Sequence, residues 1–279
     1  MKRIVTIQDI SGVGKCSVTV ALPVVSSMGV ECAVMPTAVL STHTMFSGFT
    51  FCDLTAELPK MAEHWKTQNL TFDAIYTGYL GSFDQLAFVS QFIDDFRVGG
   101  SIAVIDPVMG DNGKLYTGFD RAFALEMGNL CQKADLIIPN MTEACFMLDI
   151  PYTPANNEDV VKDVLRRLCQ KGTKMAALTG VELSQGHTGV MLYNSETDSF
   201  YTYQHKKQPQ SFHGTGDLFA SICVGAIARG ASVEKALTLA ADMTALAIEV
   251  TLAEPGHNNY GVNFEQIVPN LLEALGKAL

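Results

Sequence analysis

The sequence has few charged residues, and basic residues are the scarcer kind. Charged residues make up 17% of the 279 positions, and the formal net charge is −10 at pH 7. Binding to a nucleic-acid backbone requires a strongly basic surface, so this composition excludes nucleic acid as a partner. A nucleotide site remains compatible with it, because such a site needs only a local positive field. Hydrophobic residues reach 48%, which is enough for a sizeable buried core.

Paired cysteines and long apolar runs are also missing. The seven cysteines are scattered, with no Cys-x-x-Cys pair, which is typical of reduced cysteines in a cytosolic protein rather than of a disulfide framework or a zinc site. No stretch approaches the roughly 20 apolar residues of a membrane span, and no signal peptide is visible. Because no repeat, low-complexity tract or linker interrupts the chain, we expect residues 1–279 to form one cytoplasmic domain without a membrane partner.

What the chain does contain is an alternation of short β-branched runs with helical patterns. This alternation predicts an α/β fold with three layers, α/β/α, in which a mostly parallel central sheet has a C-terminal antiparallel part. The predicted strands are Arg3–Gln8, Val30–Val39, Ala74–Thr77, Ser101–Ile105, Leu136–Ile138 and Met175–Leu178, followed by a hairpin of Gly189–Tyr193 and Ser199–Tyr203. The predicted helices are Lys15–Ser27, Leu54–Trp65, Gln85–Phe96, Phe119–Cys131, Asp159–Cys169, 218–229, 233–250 and 264–275.

Polar residues follow many of the predicted strands. In open α/β sheets the ligand lies at the carboxyl ends of the strands. A single polar residue there is more often a turn or cap residue, but the coincidence of several favours a binding site. The residues concerned are Asp9, Thr44, Tyr79, Asp106, Asn140 and Thr179, and Asp217 would join them.

The stretch from His213 to Ser221 is the strongest single signal for a site. Gly214, Thr215 and Gly216 lead directly into an apolar helix, whose first turn leaves backbone N–H groups unpaired and carries partial positive charge. Such a turn suits an anion, and we expect a phosphoryl group in transfer. Asp217 would stand beside it as a general base for an attacking hydroxyl. The alternative is that Asp217 only caps the helix.

The glycine-rich loop near the N-terminus fits neither common nucleotide motif. Asp9 stands where a phosphate loop needs its first glycine, and Cys16 stands where that loop needs Ser or Thr to bind magnesium. Ser17 occupies the last glycine position of the Gly-x-Gly-x-x-Gly dinucleotide motif. This loop is therefore expected to pack near a small substrate.

Two acidic motifs are candidates for the nucleotide side of the site. Asp106 and Asp111 lie on one loop, as suits magnesium held by few carboxylates and several waters, although Asp111 alone is more often a solvated acid. Asn140 and Glu143 have the spacing of a capping box at the start of a helix. Capping and a role near phosphate or metal-bound water are compatible.

Taken together, these motifs resemble those of the pyridoxal/pyridoxine/pyridoxamine kinases of the ribokinase-like superfamily, over nearly the whole chain. Ser41-Thr42-His43-Thr44 resembles the family's Ser-Asn-His-Thr, and the segment Thr77–Ser82 resembles its Ser-Gly-Tyr-Leu-Gly-Ser. The motifs at Asp106–Gly110, Asn140–Glu143 and Gly214–Asp217 are shared by many ribokinase-like enzymes. The two substrate-side motifs are those that point to vitamin B6.

The resemblance implies ATP-dependent phosphorylation of the 5′-hydroxyl of a B6 vitamer, with Asp217 as base and the backbone of Gly214, Thr215 and Gly216 as anion hole. It also implies that the protein forms a homodimer and uses Mg²⁺ as a cofactor. A monovalent cation is a further candidate cofactor. Phosphoryl transfer depends mainly on positioning and electrostatics, so this sparse machinery is sufficient. The implied substrate contacts are Asp9, Thr44, Tyr79 and Asp217. The implied ATP contacts are Asp106, Asn140, Glu143 and Thr179. Of these, Asp106 and Glu143 are expected to contact the metal through water.

One position departs from the family. After Ile7-Gln8 the pyridoxal kinases commonly carry Ser and then His, whereas this chain has Asp9 and Ile10. Asp9-x-Ser11-Gly12 instead resembles the Asp-Pro-Ser-Gly of the hydroxymethylpyrimidine kinases. We therefore expect a B6 kinase in which Asp9 accepts hydrogen bonds from the ring substituents or pairs with an amine.

Three alternatives remain open from the sequence. The first is a hydroxymethylpyrimidine kinase of thiamine synthesis, which Asp9 favours, whereas Tyr79 and the loop at residues 41–44 disfavour it. The second is a sugar or nucleoside kinase, which is disfavoured because little room for a sugar-binding lid exists between residues 9 and 44. The third is a non-catalytic vitamin-binding protein, which would have no need of Asp217. The polar segment 204–212 is the expected mobile cover over ATP.

Overall fold

A computed structural model describes all residues from Met1 to Leu279. Strands and helices alternate along the chain, as the sequence predicts. The strands are β1 (Arg3–Ser11), β2 (Glu31–Leu40), β3 (Phe51–Asp53), β4 (Ala74–Thr77), β5 (Ile102–Ile105), β6 (Gly110–Asp111), β7 (Lys114–Leu115), β8 (Leu136–Ile137), β9 (Met175–Val181), β10 (His187–Asn194) and β11 (Ser199–Lys206). The helices are α1 (Val18–Ser27), α2 (Leu58–Thr67), α3 (Phe83–Phe96), α4 (Arg121–Cys131), α5 (Met141–Leu148), α6 (Glu158–Gln170), α7 (Thr215–Ala228), α8 (Val233–Ala253) and α9 (Phe264–Ala278), with a 3₁₀ turn at Thr55–Glu57.

The chain forms two compact units, Met1–Tyr76 with Lys207–Leu279, and Thr77–Lys206. In the first unit the strand order is β4-β1-β2-β3. Strands β1 and β2 are parallel, and β3 adds to β2 in the antiparallel direction. The register of β1 against β2 shifts between Gln8 and Ile10. Asp9 therefore lies at a β-bulge, a feature that redirects side chains and is common beside functional sites.

Helix α7 is the buried core helix of the first unit. Ten of its residues are buried, from Leu218 to Ala228, and it packs against α1 and α8. At Gly225 an added Cβ would lie 2.6 Å from the sulfur of Met28, so the glycine allows the close approach of α1. A helix that is apolar on every side belongs in a core. Its first turn is thereby held in a fixed position.

Helix α8 is long and apolar enough to cross a membrane by length and composition alone. Half of its most apolar stretch is buried, and the helix packs against α7 and α9. Core helices of globular proteins pass the same test. One such helix is therefore weak support for a membrane span.

The second unit has the strand order β5-β8-β9-β10-β11. Strand β8 pairs in parallel with β5 and with β9, while β9, β10 and β11 form antiparallel pairs. The predicted parallel pairing followed by a C-terminal antiparallel part is confirmed. Because β11 continues to Lys206, the first residues of the predicted cover at 204–212 belong to a paired strand, with Gln204 opposite Gly189.

Several predicted element ends are wrong for local reasons. Helix α1 begins at Val18 rather than Lys15, because Lys15 and Ser17 have left-handed φ values of 38° and 50°. Helix α7 begins three residues earlier than predicted, at Thr215. The small hairpin of β6 and β7 was not predicted, since two-residue strands carry no periodic pattern.

Candidate active site

Gly214 is the N-cap residue of α7, and it has no side chain with which to cap the helix. Its φ is 76°, and an added Cβ would lie 2.0 Å from the carbonyl oxygen of Lys15. Only glycine fits a left-handed position with backbone this close. Asp217 is the third residue of the helix, so the interpretation of Asp217 as an N-cap is wrong. Helix geometry leaves the N–H groups of Thr215, Gly216 and Asp217 without intrahelical partners, as a site for an anion requires.

Asp217 is half-buried at this helix terminus. The backbone N–H of Ser17 donates a hydrogen bond to its carboxylate. The pKa of Asp217 is raised to about 7, chiefly by burial and also by the negative charge of Asp9, while the bond from Ser17 opposes the rise. A carboxylate with a pKa near neutrality has the protonation balance that favours a general base at pH 7.

Asp9 lies on β1, with 5% of its surface exposed. The hydroxyl of Ser17 donates to its Oδ1 at 2.6 Å, and the hydroxyl of Ser11 donates to its Oδ2 at 3.1 Å. Burial raises the pKa of Asp9, against the lowering effect of these two donors. Ser17 therefore links the two acids of the first unit, since it bonds Asp9 through its side chain and Asp217 through its backbone.

The loop between β1 and α1 is tightly packed against other parts of the first unit. An added Cβ at Gly14 would lie 2.4 Å from the Cβ of His43. The ammonium of Lys15 donates to Asn263 Oδ1 at 2.8 Å and forms an ion pair with Glu265 at 2.9 Å. Lys15 is thus held by the start of α9, in keeping with the rejection of a phosphate-loop lysine.

The loop after β2 joins the same region through His43. Its backbone N–H donates to the carbonyl of Val13 at 2.7 Å, and its imidazole packs on that of His213 with ring centroids 4.8 Å apart. Thr44, the predicted substrate contact, is the next residue and is exposed. The structure thus brings the His-Thr loop beside the residue that precedes the Gly-Thr-Gly-Asp turn.

In the second unit, Asn140, Glu143 and Thr179 come together where β8 and β9 end. The capping box is confirmed: the Asn140 side chain accepts from the Glu143 N–H, and Glu143 Oε2 accepts from the Asn140 N–H at 2.8 Å. Asn140 forms a bridge with Thr179 and donates to the carbonyl of Gly110 at 2.8 Å. Glu143 Oε1 accepts from the Met109 N–H at 3.2 Å. Asn140 and Glu143 therefore hold the loop after β5 in place through its backbone at Gly110 and Met109.

Asp106 and Glu143 are both buried, and both act on the same neighbouring thiol. Their charges add to burial in raising the pKa of Cys131. Burial also raises the pKa of Glu143, whose oxygens accept hydrogen bonds from backbone N–H groups. Asp111 is exposed and accepts from Asn112, as expected of a solvated loop acid. No group of three or more His, Cys, Asp or Glu side chains is arranged to hold a metal ion directly.

Tyr79 lies in the second unit and is half-buried. Its ring packs on Phe119 with centroids 5.5 Å apart, and Phe119 stacks on Phe123 at 4.4 Å. The would-be Cβ of Gly81 lies 3.3 Å from the Tyr79 ring. The tyrosine ring therefore has a fixed orientation, which suits contact with a flat aromatic ligand.

Comparison with known proteins identifies the class as kinases of the ribokinase-like fold. The model of the phosphomethylpyrimidine kinase family matches residues 21–263, so the chain belongs to this family. A pyridoxal kinase from Lactobacillus plantarum is 29% identical, has a TM-score of 0.90, and is matched over 98% of this chain and 97% of its own. The predicted fold class and the resemblance to pyridoxal kinases are confirmed by these matches.

Some relatives are described as phosphomethylpyrimidine kinases and others as pyridoxal kinases. A candidate phosphomethylpyrimidine kinase from Bacteroides thetaiotaomicron is 42% identical, with a TM-score of 0.92 over 97% of this chain and 95% of its own, in a crystal form with pyridoxal. A candidate pyridoxal kinase from Caenorhabditis elegans is 28% identical over 189 residues, 60% of this chain. The chain spans only 58% of the length of that curated relative.

Proposed function

We propose that this protein is a kinase that transfers the γ-phosphoryl group of ATP to the 5′-hydroxyl of a vitamin B6 vitamer. The observation that carries the proposal is the position of Asp217 in the first turn of α7, where helix geometry leaves the N–H groups of Thr215, Gly216 and Asp217 without intrahelical partners. A base whose pKa is about 7 can accept the hydroxyl proton. The neighbouring N–H groups can stabilise the charge on the moving phosphoryl group.

The substrate contacts are proposed from the resemblance and from the positions of the residues. Tyr79 would stack on the pyridine ring, and Thr44 would bond its polar edge. A B6 ligand is supported by the Bacteroides relative, one crystal form of which contains pyridoxal.

The ATP contacts are proposed for the second unit. Asp106, Asn140, Glu143 and Thr179 would face ATP and Mg²⁺. Both oxygens of Glu143 accept backbone N–H bonds, so the glutamate would contact Mg²⁺ through water, in keeping with the habit of this ion to retain waters. When bound, Mg²⁺ would neutralise phosphate charge.

The second candidate function is phosphorylation of hydroxymethylpyrimidine in thiamine synthesis. Asp9-x-Ser11-Gly12 favours it, and so does the name of the matching family. The same base and the same anion site would serve either substrate. The two functions therefore differ in the acceptor alone.

The deciding experiment measures ATP consumption by the purified protein with Mg²⁺, separately with pyridoxal, pyridoxine, pyridoxamine and hydroxymethylpyrimidine. We expect turnover on the B6 compounds, and Asp217→Ala removes it. Turnover on the pyrimidine alone assigns the protein to the second function. Absence of turnover on all four compounds overturns both.

We also propose a cytoplasmic homodimer that uses a monovalent cation. These proposals rest on the resemblance to pyridoxal kinases. Light scattering at micromolar concentration gives the oligomeric state. Turnover in potassium compared with tetramethylammonium chloride gives the dependence on the cation.

A further inference from the structure

Ser17 has an unusual backbone conformation for a residue with a side chain. Its φ and ψ are 50° and −133°, and its carbonyl accepts the N–H groups of Val20 and Ala21 at the start of α1. Non-glycine residues in such regions cost free energy and cluster at functional sites. At Ser17 the side chain bonds Asp9 while the N–H bonds Asp217. The strained residue is thus the one that links the two carboxylates.

Asp9 is occupied within its own unit. Each of its oxygens accepts a serine hydroxyl, from Ser17 at 2.6 Å and from Ser11 at 3.1 Å, and it is almost fully buried. The bulge between β1 and β2 lies at this residue. A carboxylate held in this way is better placed to influence the residues around it than to bind a substituent on the ring of a substrate.

Asp9 is the charged group that opposes the ionisation of Asp217. Cys16 lies on the same loop, and burial together with both carboxylates raises the pKa of its thiol, so it stays neutral. The nearby ammonium of Lys15 bonds Asn263 and Glu265 instead. No charged group of α1 or α8, the helices packed against α7, is among the causes that shift Asp217. The negative charge of Asp9 is therefore not offset by a cation.

We propose that Asp9 is a positioning residue that acts on Asp217 through Ser17, rather than a contact to the acceptor substrate. Asp9 fixes the Ser17 hydroxyl, and Ser17 in turn fixes the carboxylate of Asp217 through its N–H. The charge of Asp9 keeps Asp217 a stronger base than an isolated helix-terminal carboxylate would be. This inference rests on the proposed role of Asp217 as the base.

The test compares Asp9→Asn with the wild-type protein by carboxyl ¹³C NMR titration of Asp217 and by the pH profile of kcat. Removing the like charge lowers the pKa of Asp217, and we expect its titration midpoint and the acid limb of kcat to move down by about one pH unit. The plateau of kcat falls by roughly tenfold, because a weaker base accepts the proton less well. The KM for the acceptor stays within about twofold, since uniform binding is retained.

Two further variants test the link from Asp9 through Ser17 to Asp217, and they do not depend on whether Asp9→Asn folds. Ser17→Ala keeps the charge of Asp9 but removes the hydroxyl that anchors Ser17 on it. The N–H bond that lowers the pKa of Asp217 is then held less firmly, so the midpoint of Asp217 moves up, opposite to its movement in Asp9→Asn. Ser11→Ala is the matched control, because it removes the other bond to Asp9 without touching the link to Asp217, and the midpoint stays at the wild-type value. If Asp9→Asn does not fold, as circular dichroism shows, Ser17→Ala alone decides.

The outcomes are distinct. A midpoint of Asp217 that is unchanged in Asp9→Asn and Ser17→Ala overturns the inference. So does an Asp9→Asn protein with a roughly tenfold higher acceptor KM and an unchanged pH profile, since Asp9 then contacts the substrate. Absence of turnover by the wild-type protein overturns the proposed function, whereas the NMR titration still tests the link between the two carboxylates.

Discussion

The imidazoles of His43 and His213 lie in contact, with ring centroids 4.8 Å apart and planes inclined by 51°. His43 belongs to the loop after β2, and His213 directly precedes Gly214. His43 Nδ1 accepts the N–H of Met45 at 3.1 Å, which requires an unprotonated nitrogen. Burial and the charge of His213 both lower the pKa of His43. The bond from Met45 therefore requires His43 Nδ1 to be unprotonated, and the position of His43 beside His213 favours its neutral form.

This contact predicts a loss of stability in mild acid. The folded-state pKa of His43 is lowered, so its contribution is present above the unfolded pKa of about 6.5 and is lost as pH falls through the folded value. We expect Tm to fall between pH 7.5 and 5.5 in the wild type. In His43→Asn the fall is smaller, because Asn has no proton to gain and its amide oxygen still accepts from Met45.

His64→Asn is the control for this prediction. His64 lies on α2 rather than on either loop, so its replacement removes a histidine while the contact between His43 and His213 is kept. Differential scanning fluorimetry across this pH range gives all three curves. Identical slopes for the wild type and His43→Asn would show that the histidine contact has no such effect.

The order of strands and helices could be predicted from periodicity, and so could the capping box at Asn140, because both signals are local in sequence. The link through Ser17 could not. It depends on a left-handed backbone at a residue that the pattern assigned to a helix, and on the approach of Asp217 in α7, which lies 200 residues away in the chain. The Gly-Thr-Gly-Asp motif indicated the anion site, yet the start of its helix was misplaced, since nothing in the sequence reveals that Lys15 packs on Gly214.

The pKa of Asp217 predicts the pH dependence of catalysis. Because the folded-state pKa is raised to about 7, the base is mostly protonated at pH 6, and kcat should rise with pH through about 7. Asp217→Asn preserves the shape but accepts no proton, so kcat falls by roughly 10²- to 10⁴-fold and loses this limb. Steady-state kinetics from pH 5.5 to 9 measure both effects. A limb that persists in Asp217→Asn would assign the titration to another group.

Gly214→Ala tests the close approach beneath the anion site. The left-handed backbone costs alanine about 1–2 kcal/mol, and the collision with the Lys15 carbonyl, 2.0 Å away, adds about 1–3 kcal/mol. Gly256→Ala is the matched control in the same unit, because its φ of 74° is nearly the same and no atom lies within 4 Å of its would-be Cβ. Urea unfolding should show a greater loss for Gly214→Ala. Equal losses would mean that backbone strain alone matters.

Asn140→Ala separates capping from function in the second unit. Removing an N-cap side chain costs about 1 kcal/mol, and Asn157→Ala, at the N-cap of α6, should cost a similar amount. Asn140 additionally donates to Gly110 and shares the capping box with Glu143, so its loss also loosens the proposed nucleotide side. We expect the KM for ATP to rise by roughly tenfold in Asn140→Ala, the equivalent of one charged hydrogen bond, and to stay unchanged in Asn157→Ala. Equal ATP kinetics in two equally destabilised variants would restrict Asn140 to capping, and ATP would then have to be held by other residues.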